Sequence, residues 1–276
     1  MSKADIYFKK TLRELIDSEY TTEGQKIRPV YADGTPSHTK FLNNVIFNYD
    51  ISKGEYPILT LRPLAWKSAI REILWIYQQQ TSNLSVLRNK YNIKWWDSWN
   101  IGDDTIGVRY GATVAKYDLV NKLLKGLKEQ PYTRRHIIDM YQYADFEETD
   151  GLYPCAYSTT WNVRGEYLDM ILNQRSSDFC VAWGINVFQY FALQLMVAKA
   201  VGLKPGMLTH VIGNVHIYDR HIEQAKELVN RLPLSGKEPK LVLNTDKTDF
   251  YSFKLEDFEL IDFEAAGPQL KFEMAI

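Results

Sequence analysis

With 276 residues, 45% of them hydrophobic and 13% aromatic, the chain can bury a large core, and general disorder is excluded. Its 33 basic and 34 acidic residues leave a net charge of −1, which argues against a nucleic-acid wrapper, whose affinity needs a cationic surplus facing phosphate. The two cysteines, Cys155 and Cys180, form neither a disulfide framework nor a zinc pattern, so a reduced, cytoplasmic protein is expected.

In chain order, Ile6, Phe8, Leu12, Leu15 and Ile16 recur at helical spacing, and a helix is expected over 3–19 in place of a secretory apolar core. The polar stretch 21–40 reads as a surface loop, and Val45, Phe47 and Tyr49 alternate as on a strand. Trp66, Ala69, Ile70, Ile73, Leu74 and Tyr77 mark a helix; Leu119, Val120, Leu123, Leu124 and Leu127 mark another that stops before Pro131. Residues 136–142 and 155–163 read as strands, with a polar surface loop at 145–151 between them. Arg164-Gly165-Glu166 turns the second strand into a third, running through Leu172. A tight turn joins only antiparallel strands, so Cys155 at the start of one and Arg175 beyond the end of the next lie at the same end.

The most apolar stretch, 185–201, is interrupted by Asn186, Gln189, Gln194 and Lys199, and so reads as a buried helix and not as a membrane span; Gly202 and Pro205 close it. An apolar segment from Met207 to Tyr218, an amphipathic helix from Asp219 to about Leu232, and strands near 240–244 and 257–263 complete the chain. No repeat or linker divides it, so one domain over 1–276 is expected: α+β, with a large mixed or antiparallel sheet and surrounding helices. No Gly-x-Gly-x-x-Gly follows a strand, so neither a Rossmann nor a P-loop site is indicated.

The chemistry centres on Cys155. A thiol of ordinary pKa about 8.5 is mostly protonated at neutral pH, and the Arg175 guanidinium is expected to lower that value and yield a nucleophilic thiolate. On residue type alone a buried structural cysteine is as good a reading, and it remains the reading of Cys180. Arg134 and Arg135 stand side by side before an apolar strand, where their repulsion asks for an anion. Asn186, one turn into its helix, offers a donor and an acceptor together, and Glu72, among Ile70, Ile73 and Leu74, has a carboxylate partly out of water and suited to holding a proton near neutral pH.

Arg71-Glu72-Ile73-Leu74-Trp75, Trp96-Asp97-Ser98-Trp99, Tyr110-Gly111, Arg134-Arg135, Pro154-Cys155, Gln174-Arg175-Ser176-Ser177-Asp178, Asn186, His216-Ile217-Tyr218 and the terminal Ala275-Ile276 occur in the order in which they occur in thymidylate synthases. The chain resembles that family, in its bacterial or phage form, along nearly its whole length. The resemblance implies reductive methylation of dUMP to dTMP without a metal, with 5,10-methylenetetrahydrofolate as co-substrate giving both carbon and hydride. It implies Cys155 as nucleophile at C6 of uracil; Arg28, Arg134, Arg135, Arg175 and Ser176 as phosphate cradle, with Ser177 alongside; and Asn186 reading the base. His216 and Tyr218 fall on the ribose 3′-hydroxyl, Glu72 on proton transfer at O4, and Tyr110 on removal of the C5 proton. Asp178 anchors the pterin, Trp96 and Trp99 wall the folate, and Ala275 and Ile276 close over it; Arg62 is a candidate for the polyglutamate tail. It further implies a homodimer through the sheet, with Arg134 and Arg135 reaching into the neighbouring subunit's site.

Two positions depart from the family pattern. Ala156 stands where most members have His after the nucleophile, and Ala65 stands where a second His is frequent, so a differently wired water network is expected. The loop around Arg28 also departs from the usual Arg-Thr-Gly-Thr. The alternatives are a deoxyuridylate hydroxymethylase, in which water and not hydride ends the sequence; a nucleotide-sensing or RNA-binding protein that has kept the pocket; and a cysteine hydrolase using Cys155 and His216, which lacks a Gly-rich oxyanion loop.

Overall fold

The computed structural model describes residues 1–234, 236 and 238–275. Ser2 opens α1 (Lys3–Asp17): its hydroxyl accepts from the Asp5 N–H while the Asp5 carboxylate accepts from the Ser2 N–H, a reciprocal cap. Then follow β1 (Thr39–Asp50), α2 (Trp66–Tyr77), α3 (Leu84–Tyr91), α4 (Gly111–Lys116), α5 (Leu119–Glu129), β2 (Ile137–Asp139) and α6 (Tyr143–Glu148). The second half holds β3 (Ala156–Arg164), β4 (Tyr167–Asp178), α7 (Trp183–Val201), β5 (Lys204–Tyr218), α8 (Ile222–Asn230), β6 (Lys240–Leu243) and β7 (Phe258–Ile261).

Five strands form one mixed sheet in the order β1-β5-β4-β3-β2, and β6 and β7 pair in a small separate one. Every neighbouring pair in the large sheet is antiparallel except β4 and β5, which run parallel because α7 carries the chain back between them. The β3–β4 hairpin closes with Arg164 opposite Tyr167, and Gly165 takes φ +62°, the left-handed conformation a two-residue turn needs. α7, buried along most of its length, packs on β4, β5 and α2. Trp161, Leu168, Met170, Leu172, Leu208 and Ile212 lie fully inside. The opposite face of the sheet is uncovered: Ile46 on β1 and Ile137 on β2 are more than half exposed, and Ile171 on β4 and Val211 on β5 half-buried.

The structure differs from the sequence reading in several elements. The expected strand over 136–142 is only three residues long. The expected loop at 145–151 begins as the last turn of α6, because the Asp145 carboxylate is drawn inside, where it accepts from Thr113 Oγ1 and, at 3.0 Å, from Tyr117 OH and Lys116 Nζ. The third strand does not stop at Leu172 but continues to Asp178, so the whole Gln174–Asp178 run is held in the sheet. The helix expected from Asp219 starts with a 3-10 turn and runs from Ile222 to Asn230.

Candidate active site

The parallel pair and the hairpin converge at one edge. Ser176 faces Asn214 and Asp178 faces His216 across β4 and β5, while the Arg175 N–H donates to the Cys155 carbonyl at 2.8 Å. The Arg175 guanidinium then turns back on the segment before β3. It donates to the carbonyls of Pro154 (3.0 Å) and Tyr153 (2.8 Å) and reaches Cys155 Sγ at 3.5 Å. This fixes the cation beside the thiol. The expected fall in the thiol's pKa does not follow, however. Burial pushes the Cys155 thiol above its ordinary value and outweighs the opposing fields of Arg175 and Arg28. The distance between cysteine and cation was legible in the hairpin; the desolvation was not.

Tyr110 also meets Cys155, its hydroxyl accepting from the Cys155 N–H at 3.0 Å. The residue sits at φ +46°, a conformation rare for a side chain of this size, at the start of α4. Gly111 follows because a Cβ there would lie 2.4 Å from the Thr81 carbonyl oxygen. The Tyr110 ring packs edge-on against Trp96 at 5.0 Å, and Trp96 in turn against Trp99 at 5.5 Å. Trp96 is buried and Trp99 half-buried.

Glu72 lies on the inner face of α2 with its carboxyl enclosed, and Trp95 Nε1 donates to it. Burial raises its pKa to about 7, against the partial opposition of the N–H groups of Trp96, Trp95 and Gln189. Trp95 was missed in the sequence; its adjacency to Trp96, ahead of Asp97, was the available signal. Gln189, one turn after Asn186, was read only as a polar interruption of α7. It accepts from Asn186 Nδ2 at 3.2 Å, while Asn186 Oδ1 accepts from Gln174 Nε2 at 3.0 Å.

Asp178 ends β4 with 14% of its side chain exposed, and accepts from the Val181 N–H at 3.2 Å. Its pKa is raised by burial, in spite of His221, whose Nδ1 is 3.8 Å away. His216 bonds Asn214 Oδ1 through Nδ1 at 3.0 Å, and burial lowers its pKa to about 4, so the ring is neutral at physiological pH. Tyr218, edge-on to His216 at 5.3 Å, is pushed up to about 12 by burial. Of the groups named from the sequence, Cys155, Arg175, Tyr110, Trp96 and Trp99 form one chain of contacts, while Glu72 is held by Trp95, the neighbour of Trp96, and Asn186 by Gln174 and Gln189. Asp178, His216 and Tyr218 form a second wall.

Other groups stand apart. Arg28 is exposed in its loop and reaches Cys155 and Tyr218 only through its field. Arg134 and Arg135 are exposed just before β2 and, among the described residues, make no ion pair or side-chain hydrogen bond. Ser176 is half-buried; Ser177 is buried with no partner for its hydroxyl among the described residues. Arg62 does not project as a free cation for a polyglutamate tail. It is buried against the Phe272 ring at 5.0 Å, donating to the Cys180 carbonyl and, at 3.1 Å, to Gln269 Oε1. The C-terminal segment, which showed no partner in the sequence, is held by chain-distant groups. Arg220 grips both Glu273 carboxylate oxygens at 2.8 and 2.9 Å, and His221 Nε2 meets the Glu273 carbonyl at 2.8 Å. Ala275 is half-buried, and Ile276 lies outside the described residues.

The thymidylate synthase family model matches residues 7–276. The chain belongs to the thymidylate synthase family. It is 51% identical over 282 residues to the thymidylate synthases of Lactococcus lactis subsp. cremoris (strain SK11) and Streptococcus pneumoniae (strain 70585), with all of each chain covered. Its fold superposes on the thermostable thymidylate synthase A from Bacillus subtilis with a TM-score of 0.92, at 34% identity and with 99% of each chain covered.

Proposed function

We propose that residues 1–276 act as one synthase domain and that the constellation around Cys155 carries the family's reaction. That reaction is the reductive methylation of dUMP to dTMP, and 5,10-methylenetetrahydrofolate supplies its carbon and hydride and leaves as dihydrofolate. The observation that carries the assignment is Cys155 Sγ beside the Arg175 guanidinium, with the Cys155 N–H on Tyr110 OH.

Cys155 Sγ adds to C6 of the uracil, and the C5–C6 double-bond electrons move toward O4, making C5 nucleophilic. Glu72, poised near pH 7, holds or returns the proton that O4 requires. Asn186 presents an acceptor and a donor to N3–H and O4, and His216 and Tyr218 meet the ribose 3′-hydroxyl. Arg28, Arg175 and Ser176, with Ser177 beside them, cradle the phosphate, as guanidinium forks suit a dianion. After the one-carbon unit is on C5, loss of the C5 proton past Tyr110 lets that electron pair expel the folate nitrogen and form the exocyclic methylene with Sγ still on C6. Hydride from the tetrahydrofolate then turns the methylene into methyl as the C6–Sγ bond breaks, the C5–C6 double bond returns, Cys155 leaves and the folate departs as dihydrofolate.

The folate is assigned to the cleft lined by Leu59, Arg62, Leu64, Val181, Ile185 and Gln269, whose Val181 N–H donates to the Asp178 carboxylate. Apolar sides suit a planar ring. Asp178 anchors the ring, Trp96 and Trp99 flank it, and the tail through Ala275 and Ile276 covers it and excludes water. We assign a homodimer through the uncovered sheet face, which Ile46, Ile137, Ile171 and Val211 make apolar. Arg134 and Arg135 complete the partner's phosphate site. A nucleophilic free thiol suits the reducing cytoplasm.

Incubation with 5-fluoro-dUMP and the folate tests the assignment, because a fluorine at C5 cannot leave as a proton. Mass spectrometry is expected to show a ternary covalent adduct on Cys155 that Cys155→Ala does not form. An adduct elsewhere, or none from a folded protein, refutes it.

A further inference from the structure

β5 places His210 opposite Phe47 on β1 and Leu172 on β4, wholly enclosed, with its ring against Phe47 at 6.1 Å. Its Nε2 lies 2.9 Å from Gln174 Oε1. The polarity of that contact is set by the other edge of the glutamine. Gln174 Nε2 is 2.9 Å from the Ser176 carbonyl and 3.0 Å from Asn186 Oδ1, and a backbone carbonyl accepts only. The amide therefore turns its N–H groups toward Ser176 and Asn186 and its oxygen toward His210. Only an imidazole with the proton on Nε2 satisfies that oxygen. Nδ1, which has no partner among the described residues, is the bare nitrogen, and burial keeps the ring neutral with its pKa lowered to about 3.

The same polarity passes one residue further. Asn186 Oδ1 takes an N–H from Gln174, and Nδ2 gives one to Gln189 Oε1. One lone pair on Oδ1 and one N–H on Nδ2 remain for a ligand, in fixed positions. Uracil offers N3–H and O4, a donor and an acceptor, whereas cytosine offers the reverse, an acceptor at N3 and a donor at N4. A flip of the Asn186 amide would exchange the two bases.

We propose that His210 is a positioning residue for pyrimidine specificity: its Nε2–H holds the Gln174 amide, and through it the Asn186 amide, in the orientation that accepts uracil and rejects cytosine. The inference rests on Asn186 being the base reader. Without the donor at 210, Gln174 Oε1 is buried and unsatisfied; the Ser176 carbonyl still opposes a flip, so the side chain shifts to find another donor and its hold on the Asn186 amide loosens.

Calorimetric titration of the full-length protein with dUMP and with dCMP tests this in wild type, His210→Phe, His210→Gln and Asn186→Ala. Loss of one neutral hydrogen bond predicts that His210→Phe narrows the dUMP-over-dCMP affinity ratio by about tenfold, while His210→Gln, which can still donate, keeps it within about twofold. Equal weakening of both ligands in His210→Phe, so that the ratio stays put while Asn186→Ala loses it, overturns the role of His210. An unchanged ratio in Asn186→Ala overturns the base-reader assignment instead. Nitrogen-15 shifts of the wild-type imidazole give a check free of any folding defect: an Nε2–H tautomer is expected, and an Nδ1–H tautomer overturns the proposal.

Discussion

Replacing Glu72 with glutamine removes a buried ionisation and leaves the shape of the side chain nearly unchanged. The carboxyl is 7% exposed and its pKa stands at about 7, raised from 4.5 chiefly by burial. Below pH 4.5 the group is protonated whether the chain is folded or unfolded, and wild type and variant differ only in hydrogen bonding. Between 4.5 and 7 the unfolded chain gives up its proton while the folded one keeps it, so wild-type stability falls as pH rises. Above 7 both states are ionised and the folded state carries the full penalty. A shift of that size corresponds to about 3 kcal/mol, because each unit is worth roughly 1.4 kcal/mol. Urea denaturation at a fixed protein concentration, from pH 5 to pH 8.5, is therefore expected to show Glu72→Gln gaining on wild type by about 3 kcal/mol. The turnover of the variant falls at every pH. A stability difference that is flat across this range, within about 0.5 kcal/mol, would refute the claim that Glu72 is held at the edge of ionisation by desolvation.

Arg175→Gln removes the cation 3.5 Å from Cys155 Sγ and leaves burial in place, so the midpoint of alkylation by iodoacetamide is expected to move to higher pH; an unmoved midpoint would show that the guanidinium has no hold on the thiol. Arg220 joins Glu273 of the tail to Asp33 (2.8 Å) and Thr35 (2.6 Å) in the loop that follows Arg28, so Arg220→Ala is expected to raise KM for the folate several-fold with dUMP affinity retained. Equal loss of both, or of neither, would separate the tail from closure. Mixing Cys155→Ala with Arg134→Ala/Arg135→Ala subunits, each inactive alone, is expected to restore activity in the hybrid dimers, one of whose sites is intact; no recovery would place both arginines outside the partner's site.

Much of the fold follows from patterns that burial imposes locally. The stripe on α2, the alternation of Phe47 and Tyr49, and the turn at Gly165 can each be read because a helix face, a strand face and a tight turn have their own spacings. The short helices α3 and α4 were not legible. α3 shows no strong stripe, and α4 begins at a residue with positive φ whose neighbour Gly111 answers to the Thr81 backbone, a contact made only on folding. The polar run at 145–151 misled for the same reason: Asp145 reads as a solvated acid, yet the wholly buried Arg109 takes its carbonyl and that of Thr149 and draws the segment inward.

In the site, the hairpin argument brought Cys155 to Arg175 because strand pairing is a local rule. Which effect dominates the thiol was out of reach, since desolvation depends on everything packed around it. The supporting roles of Trp95, Gln174, Gln189 and His210 are not legible in the sequence for a related reason. Gln174 meets Asn186 and His210 across separate strands and a helix, contacts that exist only after folding, and Trp95 reaches Glu72 from 23 residues away. The tail was open to misreading too, since Arg220 and Glu273 are 53 residues apart in the chain.

The central claim is that the Cys155 constellation completes methyl transfer and does not stop at hydroxymethyl transfer or at nucleotide binding. Incubation with dUMP tritiated at C5 and methylenetetrahydrofolate, following tritium release and dihydrofolate together, addresses it most directly. One dihydrofolate for each tritium released is the predicted result; release without matching dihydrofolate, or no release from a folded dimer, would contradict it.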